Sequence, residues 1–113
     1  MLKSNIDVFK NSGLEIEGIR SFGGGSKSAV WNQIKADICG LPVITSNFHE
    51  PGCQGAAVLA GVGSGIYKDI EDGCGRLISL AEPVYPDQEN LKQYEHDYNE
   101  YLRLNKALDP LFG

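Results

Sequence analysis

The chain has 113 residues, 42% of them hydrophobic, a size and composition that suit one globular domain with a core. Lys plus Arg number 10 against 15 Asp plus Glu, for a net charge of −5, and no basic run is present to neutralise a phosphate backbone, which argues against a nucleic-acid partner. No stretch approaches the roughly 20 apolar residues of a membrane span, and the start Met1-Leu2-Lys3-Ser4-Asn5 has no apolar segment behind its lysine, so the expected location is the cytoplasm, with no membrane partner.

Ile6 and Phe9 stand at helical spacing before Gly13, the end of a helix expected to begin upstream of this chain. Residues Ile16 to Phe22 alternate apolar and other side chains, as a short strand does, and run into Gly23-Gly24-Gly25. From Ser26 the period changes. Val30, Trp31, Ile34 and Ile38 form one apolar stripe, which places Trp31 in the core, and Gly40 closes the helix. Leu41 to Thr45 reads as a second strand with Pro42 at its start.

Gly52 to Tyr67 is rich in glycine and alanine, a poor helix by propensity yet apolar on most sides, so it should be buried against close neighbours. A further helix over Ile70 to Leu80 is weakened by Gly73 and Gly75. Pro83 and Pro86 bracket a short extended piece around Val84 and Tyr85. Leu91, Tyr94, Tyr98, Tyr101, Leu102 and Asn105 then keep a three-four spacing in a helix from Asp87 to about Ala107. Strands alternating with helices, without internal repeat or linker, make the chain α/β.

Cys39, Cys53 and Cys74 are odd in number and lie in apolar stretches, which fits buried, reduced thiols and no disulfide. A metal site assembled from His49, Cys53 and Cys74 lacks the paired C-x-x-C or H-x-x-x-H unit that fixes ligand geometry, so no metal is expected.

The glycine turn is the chemical feature of the chain. A strand leading through three glycines into a helix presents unpaired backbone N–H groups at the positive end of the helix dipole, where phosphate or a nucleotide could lie. A tight turn without ligand explains the same residues equally well. A P-loop requires Gly directly before Lys, but Ser26 precedes Lys27. A dinucleotide fingerprint would put Ser28 at the third glycine and needs an acidic residue about twenty positions on, where Glu50 comes late.

The run from Phe22 to Val43, FGGGSKSAVWNQIKADICGLPV, closely resembles the ATP-side motif of the FGGY family of carbohydrate kinases. The block from Glu50 to Tyr67 is similar to the small-residue helix that follows it there, and Tyr85-Pro86-Asp87 with the ending Ala107 to Phe112 resembles the last helix of that family. The GGG, the lysine-serine pair and the Trp-x-Gln segment look most like the xylulokinase branch.

The resemblance implies a ribonuclease-H-like, actin-like ATPase fold, with residues 1–113 as the later half of the nucleotide-binding domain. The expected elements are strand, glycine turn, helix, strand and helix, followed by C-terminal helices. It implies ATP, with Mg²⁺ in the complete kinase, and phosphoryl transfer to a sugar hydroxyl, xylulose being expected. Gly24 and Gly25 would pass close to the phosphates and ribose, Gly23 would shape the turn, Ser28 would give a polar contact near the adenine, and Ser26 or Asn32 would add contacts. Ser26 reads better as an N-cap, and Lys27 and Asn32 also read as solvated helix residues.

The family's catalytic aspartate lies before the first residue of this chain. Asp37, about 15 Å along its helix, cannot replace it at 1.5 Å per residue. The chain is therefore expected to be inactive alone and to need a missing N-terminal kinase half or self-association. The alternative is a stand-alone ATP- or ADP-binding module or a subunit that pairs with a separately encoded half.

Overall fold

The computed structural model describes residues 1–46 and 50–112. Among these, the elements run α1 (Leu2–Asn11), β1 (Ile19–Ser21), α2 (Ala29–Cys39), β2 (Val43–Thr45), α3 (Pro51–Gly63), α4 (Ile70–Leu77) and α5 (Gln88–Phe112), with a 3-10 turn at Gly24–Lys27 between β1 and α2.

β1 and β2 are parallel neighbours, with Ile19 opposite Val43 and Ser21 opposite Thr45, and α2 is the crossover between them. Each strand has three residues, fewer than the alternating segments suggest. The ladder starts where the Ile19 N–H meets the Pro42 carbonyl at 2.8 Å. Pro42 has no N–H with which to carry it further back. At the other end the backbone turns at Gly23.

On its far side β2 takes up the extended piece expected around Val84. Val43 and Val84 exchange two backbone hydrogen bonds of 2.9 and 2.8 Å, and the Ala81 N–H donates to the Thr45 carbonyl at 2.8 Å. This pairing draws the chain out of helical conformation, so α4 stops at Leu77 and does not reach Leu80.

The core is small. Ile6, Cys39 and Leu41 form its centre, with Ile16, Ile19 and Ile38 packed against it, and Ala36 and Val43 are fully buried. The apolar stripe of α2 is placed differently from expectation: its buried positions are Asn32, Ala36, Asp37 and Cys39, while Val30 is 71% exposed and Trp31 is 51% exposed. Trp31, Ile34 and Ile38 of the stripe line a cleft beside α1 and α5 that these helices do not close. Trp31 is therefore not a core residue.

α3 also departs from its expected burial. Gln54, Val58 and Gly61 face α4 and are buried, but Leu59 is 62% exposed. The helix ends at Gly63 and not at Tyr67, because Gly65, at φ 78°, lets its own N–H reach the Val62 carbonyl and the Ile66 N–H reach the Gly61 carbonyl. Cys53 is exposed and Cys74 half-buried, so of the three free thiols only Cys39 is buried as expected.

α5 begins as expected but runs to Phe112, and none of its residues is buried. The Cα radius of gyration is 18.1 Å, against about 13 Å for a compact domain of this length. Much apolar surface is left uncovered. No helix among the described residues is long and apolar enough to cross a membrane.

Candidate functional site

In an open parallel sheet, ligands bind beyond the carboxyl ends of the strands. The three glycines lie there, immediately after β1. Gly23 has φ 79° and ψ −168°, a conformation open in practice only to glycine. A Cβ at Gly23 or Gly24 would meet nothing within 4 Å, so this side of the turn is unobstructed. At Gly25 a Cβ would stand 3.4 Å from Trp31 Cδ1.

The helix does not begin at Ser26. Gly24–Lys27 form a 3-10 turn closed by the Ser26 N–H to the Gly23 carbonyl at 3.1 Å, and Ser28 is the N-cap of α2. Ser28 Oγ accepts from the Trp31 N–H at 3.2 Å. This corrects the expectation that Ser26 caps the helix. The intervening turn adds the residues that delay the helix start.

Ser26 and Asn32 are instead parts of the turn's frame. Ser26 is buried, and its hydroxyl donates to the Gly23 carbonyl at 2.7 Å. Asn32 is 5% exposed, with Nδ2 donating to the Ser26 carbonyl at 2.8 Å. Its Oδ1 is buried without a hydrogen-bond partner among the described residues. Rotating the amide would set its oxygen against the Ser26 carbonyl, so the observed orientation is the better one. Lys27 and Ser28 remain exposed beside the open glycines.

Below the turn, α2 is anchored through Asp37, a residue whose role the helical pattern alone does not reveal. Its carboxylate is buried and accepts from the Gln33 amide at 2.7 Å, the Asp87 N–H at 2.7 Å and the Asn90 amide at 3.0 Å. Burial by itself would raise its pKa, but the bonds from Asp87, Gln33 and Asn90 together hold it below the ordinary value. Such a carboxylate is a poor general base. The i, i+4 spacing of Gln33 and Asp37 was the available signal. The partner fifty residues on was not visible in it.

Two clefts flank this region. One, of about 400 Å³, lies between α1, α2 and α5 and is bordered by Trp31. The other, of about 290 Å³, lies between Phe22, α3 and α4. Gly23, Gly24 and Gly25 line neither. Among the described residues no group of three His, Cys, Asp or Glu side chains could hold a metal ion, and His49 lies outside the described residues.

Residues 1–64, more than half of the chain, match the model of the FGGY family of carbohydrate kinases, C-terminal domain. The chain is 35% identical over 110 residues to a xylulose kinase of Staphylococcus epidermidis, a match covering 97% of this chain and 22% of that protein. It is 37% identical over 84 residues to an autoinducer-2 kinase of Klebsiella pneumoniae, covering 74% of this chain and 16% of that protein. The fold superimposes on the crystal structure of xylulose kinase from Rhodospirillum rubrum with a TM-score of 0.78 at 26% identity, covering 98% of this chain and 22% of that one. The chain thus spans about a fifth of the length of these xylulose kinases. With its α/β order and its glycine turn between β1 and α2, the chain belongs to the FGGY family of carbohydrate kinases, by its C-terminal domain.

Proposed function

We propose that the chain supplies the nucleotide-binding turn of an ATP-dependent carbohydrate kinase and does not phosphorylate sugar by itself. The observation that carries this reading is the glycine turn at the carboxyl end of β1: Gly23 at positive φ, an unobstructed side at Gly24, and the Ser28-capped start of α2 beside it. A polyphosphate fits such a place because no Cβ blocks it and the first N–H groups of α2 lack helical acceptors.

ATP, when bound, supplies the phosphoryl group that passes to a sugar hydroxyl. This chain's residues do the holding. Gly24 and Gly25 present backbone to the phosphates and ribose, Gly23 shapes the turn, Ser28 offers a hydroxyl near the base, and Ser26 and Asn32 keep the turn in shape from behind. Among the described residues no three His, Cys, Asp or Glu side chains come together to hold Mg²⁺ by themselves. In this reading the proton of the sugar hydroxyl goes to a base outside this chain; Asp37, buried and saturated with donors, is not available to take it. Xylulose is the favoured sugar because relatives of that name match nearly the whole chain.

Calorimetric titration with ADP tests the reading. Saturable micromolar binding, weakened when Gly24→Val fills the open side, is the expected result. Absence of binding, or sugar phosphorylation by the purified chain, contradicts it.

A second reading, a subunit that pairs with a separately encoded kinase half, is favoured by the uncovered apolar surface of α3 and α5. Restored sugar kinase activity on co-expression with the first four-fifths of a xylulose kinase would select it.

A further inference from the structure

The cleft of about 400 Å³ between α1, α2 and α5 has the dimensions of a small-molecule site, and the nucleotide reading makes no use of it. Its walls are aromatic: Trp31 on α2 faces Tyr94, Tyr98 and Tyr101 on α5, and the last two rings stack with centroids 6.1 Å apart. Flat rings favour a flat guest.

The charge on these walls is unbalanced. Lys35 is half-buried among them, and its ammonium donates to the Ser21 hydroxyl. Among the described residues no carboxylate stands within salt-bridge distance of it. Burial lowers its pKa, as expected for a cation short of a counter-charge. Lys3 adds a second ammonium, 4.8 Å from the centroid of the Tyr98 ring. The one carboxylate of the lining, Asp97, is exposed on α5 and accepts from Gln93 at 3.3 Å. Two cations, Lys35 and Lys3, thus border an apolar space whose lining holds one solvated anion, with the Asp7 carboxylate behind the tyrosines, accepting from the Tyr98 hydroxyl at 2.8 Å.

We propose that this cleft binds a planar aromatic anion, its ring among Trp31 and the tyrosines and its charged group at Lys35. The site is separate from the glycine turn, although Trp31 touches both.

Trp31 is the single tryptophan of the chain, so its emission reports occupancy directly. The probes are anilinonaphthalene sulfonate and phenylnaphthylamine, which share a ring system and differ by the sulfonate. The sulfonate should quench Trp31 at one equivalent and bind ~10-fold tighter than the amine, the worth of one charge-assisted contact. Lys35→Met should remove that preference without changing the affinity of the amine, and Lys35→Arg should keep it. Lys35→Gln replaces the methionine variant if that one does not fold. Equal affinities in the unaltered chain, a preference that survives loss of the charge, or no saturable quenching overturns the proposal. Competition by ATP would merge the cleft with the nucleotide site and overturn its separateness.

Discussion

The carboxylate of Asp37, in the middle of α2, accepts the backbone N–H of Asp87 at 2.7 Å, so the helix behind the glycine turn is tied directly to the start of α5. Asp87 in turn caps α5 through the Glu89 and Asn90 N–H groups at 2.8 and 3.2 Å. Asp37→Ala strands three donors around a small cavity and should cost about 3 kcal/mol in urea unfolding, since it breaks a buried charged network. Asp37→Asn keeps one acceptor and should cost nearer ~1 kcal/mol.

The same residue sets an expected pH dependence. Its pKa is depressed on folding, so its contribution is fully present above the ordinary carboxylate value of about 4 and is lost as pH falls through the folded value. Acid titration of stability should therefore fall less steeply in Asp37→Asn than in the unaltered chain. Identical acid limbs would remove Asp37 from the account.

Two glycines of α3 should respond to alanine in opposite directions. A Cβ at Gly61 would collide with the Tyr67 ring, whereas one at Gly55 meets nothing within 4 Å. Gly61→Ala should lose about 1–3 kcal/mol through overpacking. Gly55→Ala should gain up to ~1 kcal/mol through helix propensity. Thermal unfolding of the pair measures the contrast.

At the turn, Gly23→Ala forces a side chain into φ 79° and should cost about 1–2 kcal/mol. Asn32→Ala removes the 2.8 Å bond to the Ser26 carbonyl and should cost about 1–3 kcal/mol if that carbonyl stays unpaired. Both variants should weaken ADP binding. Unchanged ADP affinity in two folded variants would separate the turn's shape from nucleotide recognition.

The Tyr98 hydroxyl donates to Asp7 Oδ2 at 2.8 Å and lies 3.3 Å from Ser4 Oγ, joining α5 to α1. Tyr98→Phe should cost about 1 kcal/mol, and hydrogen exchange should show it as faster exchange of the α1 amides with α4 unaffected.

Periodicity and punctuation located most elements of the chain because those signals are local. Gly40 ends α2 in the left-handed conformation, as its position after the apolar stripe indicates, and the three-four spacing after Asp87 belongs to α5. Boundaries fared worse wherever distant chain decided them. α4 ends early because Ala81 and Val84 are held by β2, and Ser28 caps α2 because the glycines fold into a turn of their own.

The amino-acid sequence by itself determined the family and the glycine turn, because a run of specific residues at fixed spacing needs no knowledge of what packs on it. Only the tertiary structure decided which way α2 faces. An apolar stripe states that burial is favourable without naming the surface that provides it. Here two polar residues, Asn32 and Asp37, are buried along with Ala36 and Cys39, satisfied in part or in full by Ser26, Gln33, Asp87 and Asn90, while Trp31 stands at an open cleft. The glycine turn is thus legible in one dimension. The hydrogen bonds that tie the helix behind it to the start of α5 reach across fifty residues and exist only once α5 has docked.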